Sequence, residues 1–517
     1  MAMVERTSNP SFVILLLSLT LRLSFSSHTL PPLPLPPLPS ASQLSWQLGE
    51  LALFLHFGIN TFTDSEWGTG VADPSVFAPT ALDARQWARV AAETGFVRAV
   101  FTAKHHDGFC LWPSEYTNYS VKSSPWRGGR GDVVAELADA TKEFGIELGI
   151  YLSPWDRHDS CYGDTVKYNE YYLAQMTELL TRYGEIKEVF LDGAKGKGEK
   201  DMDYLFNCWF RVIHQLQPGA VIFTDAGPDI RWIGDEDGFA GSTCWSLLNR
   251  SSVKIGGDNE PYATEGDQFG QDWLPAECDV SIRDSWFWHK TEHPKSAISL
   301  LNIYYKSVGR NCLLILNVPP NSLGLFSSED VQVLHEFAEL RRTIFSQNLA
   351  QDAIVTASST RGGEGNSQFA PSNVLKDGIY SYWAPEDYQA DWIIFLDLGQ
   401  PITFNVLQVQ EPIQMGQRVI EFHVDLLEDG EWNTIVNATT IGYKRLLQFP
   451  AVKAQFLRLL VDKSRADPLI SYFGAYLDPY SIINETHGSS WQASFNDYQV
   501  ISLKKYYSSV NSSIAVI

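Results

Sequence analysis

Short apolar runs alternate with helical patterns between residues 50 and 345, and this alternation constrains the fold of the 517-residue chain more than any other feature. LALFLHFG (51–58) and FVRAVFTAKH (96–105) are examples of the apolar runs. Several of the intervening helical segments end in glycine, which favours a left-handed cap before a strand. About eight such units in roughly 300 residues predict an α/β fold, a (β/α)8-like barrel of the TIM type over residues 42–345.

The later units of this pattern are less regular than the early ones. Further apolar runs occur at CWSLL (244–248), SWFWH (285–289) and CLLILNV (312–318). Counting them as strands completes the predicted barrel, and we expect the barrel to be distorted on that side.

The pattern changes after Arg342. Residues 350–478 contain short stretches such as DWIIFLDLG that alternate with period two and are separated by turn clusters. Such stretches without a long helix predict an all-β, antiparallel sandwich as a second domain. Residues 479–517 are polar and aperiodic, which predicts a tail outside both domains.

The N-terminal segment carries an apolar run, SFVILLLSLTL (11–21), after Arg6. The run is about half the ~20 residues that a membrane-spanning helix needs. We therefore predict a secretory signal peptide over residues 1–27 and no membrane attachment after its cleavage. The following PPLPLPPLPS predicts a proline-rich spacer over residues 28–41 that does not join the fold.

Export to the extracellular space is also consistent with the sequons and the cysteines. Six cysteines, all before the predicted sandwich, are compatible with up to three disulfides, although six allow fifteen pairings and buried free thiols are the alternative. N-x-S/T sequons permit glycosylation at five positions: Asn118, Asn249, Asn437, Asn484 and Asn511.

The charge balance excludes some classes of partner. The chain has 61 acidic and 39 basic side chains and a formal net charge of −22. An acidic surface repels phosphate backbones and anionic lipids, so the composition disfavours nucleic-acid and membrane-surface roles. The chain is 44% hydrophobic, enough to bury a large core, which excludes a disordered protein.

Candidate functional residues follow the predicted strands, because the sites of such barrels lie at the carboxyl ends of the strands. The residues at the first four strand ends are His56, His105 with His106, Tyr151 and Asp192. A carboxylate at the rim of a dry barrel can act as a nucleophile or a base, although Asp192 could also cap its loop. A glycosidase needs a second carboxylate, about 5–5.5 Å away in retaining enzymes.

The second carboxylate is expected in DIRWIGDEDGF (229–239), which contains Asp235, Glu236 and Asp237. Clustered acids raise one another's pKa, as a general acid requires, but a solvated acidic loop is the alternative for Asp235 and Asp237. The adjacent histidines favour hydrogen bonding to hydroxyls over metal binding, because neighbouring strand residues point to opposite sides. No metal and no nucleotide cofactor is expected, since the sequence lacks their motifs.

Longer motifs then resemble a known family. HFGINTF…SEWG, TAKHHDGFCLWPS, GIYLSPWD and EVFLDGA resemble successive motifs of the α-L-fucosidases, glycoside hydrolase family 29. AECDVSIRDSWFWH and YYKSVGRNCLLILNVPPN are similar to the subgroup that acts on α-1,3- and α-1,4-linked fucose in Lewis-type structures. DAIVTASSTRG and TIGYKRLLQF resemble a discoidin-like, factor V/VIII type C sandwich. The whole chain is similar to plant members, which implies secretion to the apoplast.

The resemblance implies a retaining exo-α-L-fucosidase without a cofactor, acting on fucosylated oligosaccharides or glycoprotein glycans. It makes Asp192 the nucleophile and Glu236 the acid/base, although this chain has GDED where the subgroup has a GNE-like stretch, so that Asp235 stays an alternative. Phe190 stands where many members have tryptophan. The residues expected to hold the fucose are His56, Glu66, Trp67, His105, His106 and Tyr151, with Trp286 near its apolar face.

Two other functions stay open at this point. One is an α-1,2-fucosidase that acts on cell-wall polysaccharide such as xyloglucan. The other is a non-catalytic fucose-binding lectin, in which the sandwich binds the glycan. The sequence leaves the oligomeric state and the role of the sandwich undecided.

Overall fold

The protein is represented by a computed structural model that describes residues 29–193, 195, 198–257, 259 and 261–481. The predicted signal peptide, most of the predicted polar tail, and two of the sequons, at Asn484 and Asn511, lie outside the described residues. Within the described ranges no helix combines the length and the apolarity that crossing a membrane requires.

In the described part of the chain eight parallel strands close a barrel. The strands are β1 (Leu51–Leu55), β2 (Arg98–Lys104), β3 (Glu147–Leu152), β4 (Glu188–Phe190), β5 (Val221–Thr224), β6 (Ile230–Trp232), β9 (Ala276–Ser281) and β10 (Leu313–Asn317). Their spatial order is β1-β10-β9-β6-β5-β4-β3-β2. The helices around them are α1 (Ala41–Leu48), α2 (Ile59–Thr63), α3 (Ala84–Thr94), α4 (Val133–Phe144), α5 (Thr165–Arg182), α6 (Phe206–Leu216), α7 (Tyr262–Glu265), α8 (Ala297–Lys306) and α9 (Ser328–Phe345). The predicted barrel is confirmed.

Local sequence explains where the early helices begin and end. Asp83 and Asp132 accept hydrogen bonds from backbone N–H groups in the first turns of α3 and α4, which satisfies donors that the helix leaves unpaired. Gly95 and Gly145 end the same helices with φ of 82° and 70°, in the left-handed region that favours glycine.

Two strand predictions in the later units are wrong. Leu247–Leu248 of the CWSLL run forms β7, which pairs with β8 (Asp272–Trp273) outside the barrel, and residues 285–289 form a loop. The barrel strands of this region are instead β6 and β9, which pair directly with each other. β6 has three residues and follows β5 without a helix, so it is too short to produce a distinct period.

Aromatic side chains fill the inside of the barrel. The rings of Phe190 and Phe223 stack at 3.8 Å between centroids, and Phe54 lies 4.9 Å from Phe190. Trp46 of α1 closes the amino-terminal end, where its Nε1 donates to Glu188 Oε2 at 2.7 Å. The barrel is therefore a packed core with one accessible mouth, at the carboxyl ends of its strands.

The predicted C-terminal sandwich is confirmed as an all-β domain with antiparallel pairing. Its strands are β11 (Ile354–Ala357), β12 (Trp392–Gln410), β13 (Val419–Glu428), β14 (Glu431–Thr439), β15 (Arg445–Ser464) and β16 (Tyr472–Tyr476). Register shifts interrupt the long pair β12 and β15, so that β12 pairs with β11 along its first half and with β16 along its second. Such irregularities bend long strands and let them contribute to both layers of a sandwich.

The sandwich contacts the barrel at the amino-terminal end of β10. Asn311 Oδ1 accepts a hydrogen bond from the Tyr443 backbone N–H at 2.9 Å, and Tyr443 Oη donates to the Cys312 carbonyl at 3.0 Å. These contacts lie at the opposite end of β10 from the barrel mouth. They are therefore suited to bracing the barrel.

The prediction of a proline-rich spacer free of the fold is wrong for its described part. The Leu35 N–H donates to the Met415 carbonyl at 3.0 Å, and the Leu33 and Leu30 carbonyls accept from Arg418 and Arg361 at 2.6 and 2.7 Å. Proline has no N–H, so an extended proline-rich strand presents mainly carbonyl oxygens, which arginine side chains of the sandwich can bind.

The cysteines form one disulfide in the described residues, between Cys278 of β9 and Cys312 beside β10. It joins two strands that are neighbours in the barrel. The other cysteines, Cys110, Cys161, Cys208 and Cys244, are free thiols. Two of the six cysteines are therefore paired, and four are the free thiols of the alternative interpretation.

Candidate active site

Asp192 follows β4 at the barrel mouth, as predicted from its position in the sequence. Tyr151 Oη donates a hydrogen bond to Asp192 Oδ2 at 2.9 Å, and His106 Nε2 lies 3.6 Å from the same oxygen. The Asp192 side chain is partly open to solvent. Two neighbouring strand ends thus orient a carboxylate that can be reached from outside the barrel.

Three buried histidines line the mouth next to Asp192. Burial lowers the pKa of His56 to about 3, lowers that of His105 well below its usual range, and also lowers that of His106. These rings are therefore neutral near pH 7 and offer one hydrogen-bond donor and one acceptor each. Such neutral groups suit the hydroxyls of an uncharged sugar.

The expectation that His105 and His106 point to opposite sides is wrong. Both residues follow the last residue of β2, Lys104, so strand alternation does not apply to them, and their rings lie 4.1 Å apart. Across the described ranges no group of three or more His, Cys, Asp or Glu side chains is arranged to hold a metal ion.

Glu236 lies across the mouth in the loop after β6. Partial burial raises its pKa, and the charges of Asp192 and Glu66 raise it further, although a hydrogen bond from Trp286 lowers it. That bond runs from Trp286 Nε1 to Glu236 Oε2 at 3.1 Å. A carboxyl group with a raised pKa can keep its proton until a leaving group takes it.

Asp235 has different hydrogen-bond partners from its neighbour. Burial raises the pKa of Asp235, although hydrogen bonds from the backbone of Asp237, Phe239 and Gly238 lower it. The bond from the Asp237 N–H to Asp235 Oδ1 measures 3.0 Å. Asp235 therefore caps its own loop, which leaves Glu236 as the carboxyl group that meets the other groups of the mouth.

Trp67 and Trp286, which are expected to contact the fucose, flank the opening. Trp67 is 49% exposed, and its ring stands edge-to-face 6.1 Å from His106 and 5.4 Å from Trp155. Trp286 lies 5.1 Å from His56. Both rings reach the mouth as partly exposed apolar walls, a geometry that suits the apolar face of a sugar.

Glu66 is engaged by protein groups on both carboxylate oxygens. Oε2 accepts the Trp286 backbone N–H at 2.8 Å, while Oε1 accepts that of Phe287 at 3.1 Å and pairs with His289 Nε2 at 2.9 Å. It therefore joins the loop that carries Trp67 to the loop that carries Trp286, in addition to any contact with a substrate.

Asn317, at the end of β10, is a site residue that the sequence analysis missed. Its Oδ1 lies 2.9 Å from His56 Nδ1, and its Nδ2 donates to the Trp286 carbonyl at 2.8 Å. Extending the strand-end reasoning to CLLILNV would have found it, because Asn317 is the last residue of that strand.

Two further carboxyl groups of the mouth were also missed. Asp279 of β9 is buried and accepts Trp232 Nε1 at 2.7 Å, and burial, followed by the charges of Glu236 and Asp192, holds its pKa well above the usual range. Burial and the charge of Asp192 raise the pKa of Asp225 to about 6. Asp225 directly follows β5, so the rule of reading strand ends could have found it. Asp279 lies in the middle of β9, whose sequence AECDVS mixes apolar and polar residues and gives no such signal.

A closed barrel, an accessible carboxylate and a second carboxyl group of raised pKa facing it between aromatic walls define a class of protein. This combination of fold and site is that of a TIM-barrel glycoside hydrolase.

Comparison with known proteins gives the family. The family described as Alpha-L-fucosidase matches residues 62–341, and the F5/8 type C domain matches residues 354–472. Alpha-L-fucosidase 1 of Arabidopsis thaliana is 62% identical over 475 residues, which cover 91% of this chain and 94% of the relative. An Oryza sativa subsp. japonica protein whose name also contains alpha-L-fucosidase 1 is 65% identical over 490 residues, 95% of each chain.

A solved structure agrees with both relatives. The Ruminococcus gnavus family 29 fucosidase in complex with fucose superposes with a TM-score of 0.82 at 34% identity, covering 87% of this chain and 96% of that one. The chain therefore belongs to the alpha-L-fucosidase family, glycoside hydrolase family 29, as its motifs indicated. It is a glycoside hydrolase whose family implies a fucosylated glycan as substrate.

Replacing Glu236 and Asp235 separately tests which carboxyl group serves as the acid/base. Glu236→Ala should lower fucose release from an unactivated oligosaccharide by about 10²–10⁴-fold, because general acid catalysis is lost. Azide should restore turnover of an aryl fucoside by this variant. The matched control Asp235→Ala should retain most of the activity, since it loses only a loop cap. Azide rescue of Asp235→Ala in place of Glu236→Ala would contradict the assignment.

Proposed function

We propose that the chain is a retaining exo-α-L-fucosidase that removes terminal α-1,3- and α-1,4-linked L-fucose from glycans such as Lewis-type structures. The observation that carries this proposal is the contrast between the surroundings of two carboxyl groups at the mouth. Asp192 accepts a hydrogen bond from Tyr151, whereas Glu236 has its pKa raised by partial burial and by the charges of Asp192 and Glu66. A double displacement needs one ionised and one protonated carboxyl group in this arrangement.

In the proposed mechanism Asp192 attacks the anomeric carbon while Glu236 donates its proton to the leaving oxygen. Glu236, now ionised, then takes a proton from a water molecule that hydrolyses the fucosyl-enzyme. Tyr151 orients the nucleophile through its hydrogen bond, and the neutral histidines bind hydroxyls of the sugar. The groups act in a partly dry mouth, where hydrogen bonds and charges act more strongly than in water.

The floor of the barrel beneath the carboxylates is closed. Phe54, Phe190 and Phe223 fill this space, and all three are almost fully buried. A sugar therefore reaches Asp192 from the mouth alone.

A cavity beside Glu236 supports the choice of branched substrates. It has a volume of about 450 Å³, and its lining includes Asp237, Lys295, Ser299 and Asn302. The cavity lies on the side of the acid/base group, where the rest of the glycan would leave. Charged and amide groups there can bind the hydroxyls of the sugars next to the fucose.

Incubation with defined oligosaccharides tests the proposed substrate. The protein should release fucose from α-1,3- and α-1,4-linked Lewis-type trisaccharides faster than from a 2-linked substrate. Asp192→Ala should lower the release by more than about a thousandfold. The matched control Asp201→Ala, a fully exposed position in the same loop, should behave as the wild type.

Three outcomes of this assay would overturn parts of the proposal. Faster release from the 2-linked substrate would favour the α-1,2-fucosidase. Binding of the trisaccharides without release would favour a lectin. Near-normal release by Asp192→Ala would remove this residue from the role of nucleophile.

We also propose that the protein is secreted and glycosylated, and acts in the apoplast of a plant. Two described sequons are accessible, since the Asn118 and Asn437 side chains are exposed. Asn249 differs, because its Nδ2 donates to Asp267 Oδ2 at 2.9 Å and is half-buried. A glycan on that nitrogen would displace the hydrogen bond.

Mass spectrometry of glycopeptides from the protein secreted by plant cells checks this proposal. Glycans should be found on Asn118 and Asn437, and the peptide that contains Asn249 should be unmodified. Retention of the protein inside the cells without any glycan would contradict export.

A further inference from the structure

A histidine outside the catalytic pair bridges two loops of the mouth. His289 Nδ1 lies 2.6 Å from Asp64 Oδ1, and His289 Nε2 lies 2.9 Å from Glu66 Oε1. Asp64 and Glu66 belong to the loop after α2, whereas His289 belongs to the loop after β9. We call these three side chains the His289 bridge.

The bridge is connected to the acid/base group through Trp286. Glu66 Oε2 accepts the Trp286 backbone N–H at 2.8 Å, and the Trp286 ring donates its Nε1–H to Glu236 at 3.1 Å. A displacement of Glu66 would therefore move the ring that hydrogen-bonds the acid/base carboxyl group.

Other contacts fix the base of the His289 loop, while Asn317 and the bridge residue Glu66 hold its inner part. Arg283 forms a buried ion pair with Asp330 at 2.9 Å and a second with Glu329 at 2.7 Å. Ser285 Oγ donates to Glu292 at 2.5 Å, which closes the loop on itself. Towards the barrel mouth, the carboxylate of Glu66 receives the backbone N–H groups of Trp286 and Phe287.

Two carboxylates facing one imidazole set its protonation. A neutral imidazole has a single N–H and can donate to only one of them, whereas an imidazolium donates to both. Partial burial opposes the charge on His289, but hydrogen bonds to Glu66 and Asp64, together with the charges of Glu66 and Glu292, outweigh it and raise its pKa. The bridge is therefore complete at acidic pH and loses one hydrogen bond as the pH rises through this pKa.

We propose that His289 is a positioning residue for the acid/base Glu236. Its imidazolium form holds Glu66 in contact with Trp286, and it neutralises the charge of Glu66. This inference rests on the proposed function of Glu236. It assigns a role to the histidine of the WFWH stretch, which touches neither carboxylate of the catalytic pair.

The sign of the effect follows from the groups that act on Glu236. The charge of Glu66 raises the pKa of Glu236, and the hydrogen bond from Trp286 lowers it. Without a cationic His289 the charge of Glu66 is unopposed and Trp286 is less firmly held. Both changes raise the pKa of Glu236. The fall of kcat/KM at alkaline pH, which follows deprotonation of Glu236, should therefore move to higher pH.

The test compares His289→Gln with His293→Gln, the same substitution on the same loop. His293 is 78% exposed and pairs with Glu329, outside the bridge. For fucose release from a Lewis-type trisaccharide, His289→Gln should shift the alkaline limb upward by about half a pH unit. Its maximal kcat/KM should fall about tenfold through loss of orientation. His293→Gln should match the wild type in both respects.

A second variant covers the case in which His289→Gln fails to fold. Asp64 is 83% exposed, so Asp64→Asn should leave the melting temperature unchanged. Asp64→Asn should also move the alkaline limb of the pH profile of kcat/KM upward, by a smaller amount. The substitution removes a carboxylate that raises the pKa of His289, so a smaller fraction of His289 is protonated. A folded variant of either kind with the wild-type limb would overturn the proposal.

An NMR titration of the His289 imidazole separates this inference from the proposed function. A wild-type protein that releases no fucose would refute the proposed function, and the titration can still be carried out. The pKa of His289 should lie above its ordinary value of 6.5 and fall in Asp64→Asn. A pKa at or below 6.5 would overturn the bridge itself.

Discussion

The electrostatic surroundings of the ionisable groups at the barrel mouth are the constraint on which the rest of the site depends. Burial lowers the pKa of His56, His105 and His106, so these rings are neutral near pH 7. Asp192 accepts a hydrogen bond from Tyr151, whereas partial burial and the charges of Asp192 and Glu66 raise the pKa of Glu236. Hydrogen bonds and neighbouring charges, together with burial, therefore separate the proposed nucleophile from the proposed proton donor.

The loops that carry these groups are joined by buried polar side chains. Asn317 connects His56 to the Trp286 carbonyl, and Glu66 connects Trp286 to the loop of Trp67. The walls of the mouth are therefore held from two strand ends at once. The sandwich contacts the barrel at the opposite end of β10, so it can stabilise the strand without entering the site.

The sequence predicted the barrel and the sandwich because each has a characteristic local periodicity of apolar residues. It predicted the residues at the first four strand ends because each of these strands is an apolar run that ends in a polar residue. It did not predict Asp279, which lies inside a strand and whose partner Trp232 is 47 residues away in the chain. Asn317 ends its strand, so its position was readable, but its partner His56, 261 residues away, was not. The error at CWSLL arose because three residues are enough for β6 inside a closed barrel but not for a periodic signal. The proline-rich segment was misjudged because its binding partners, the arginines of the sandwich, lie more than 300 residues later.

The stereochemistry of the first-formed product tests the central claim, a double displacement between Asp192 and Glu236, most directly. Proton NMR can follow hydrolysis of a Lewis-type trisaccharide at early times, before the released sugar mutarotates. Two inversions at the anomeric carbon predict that α-L-fucose appears first and that the β-anomer grows in later. Initial appearance of β-L-fucose would show a single displacement by water and would contradict the role of Asp192 as a nucleophile.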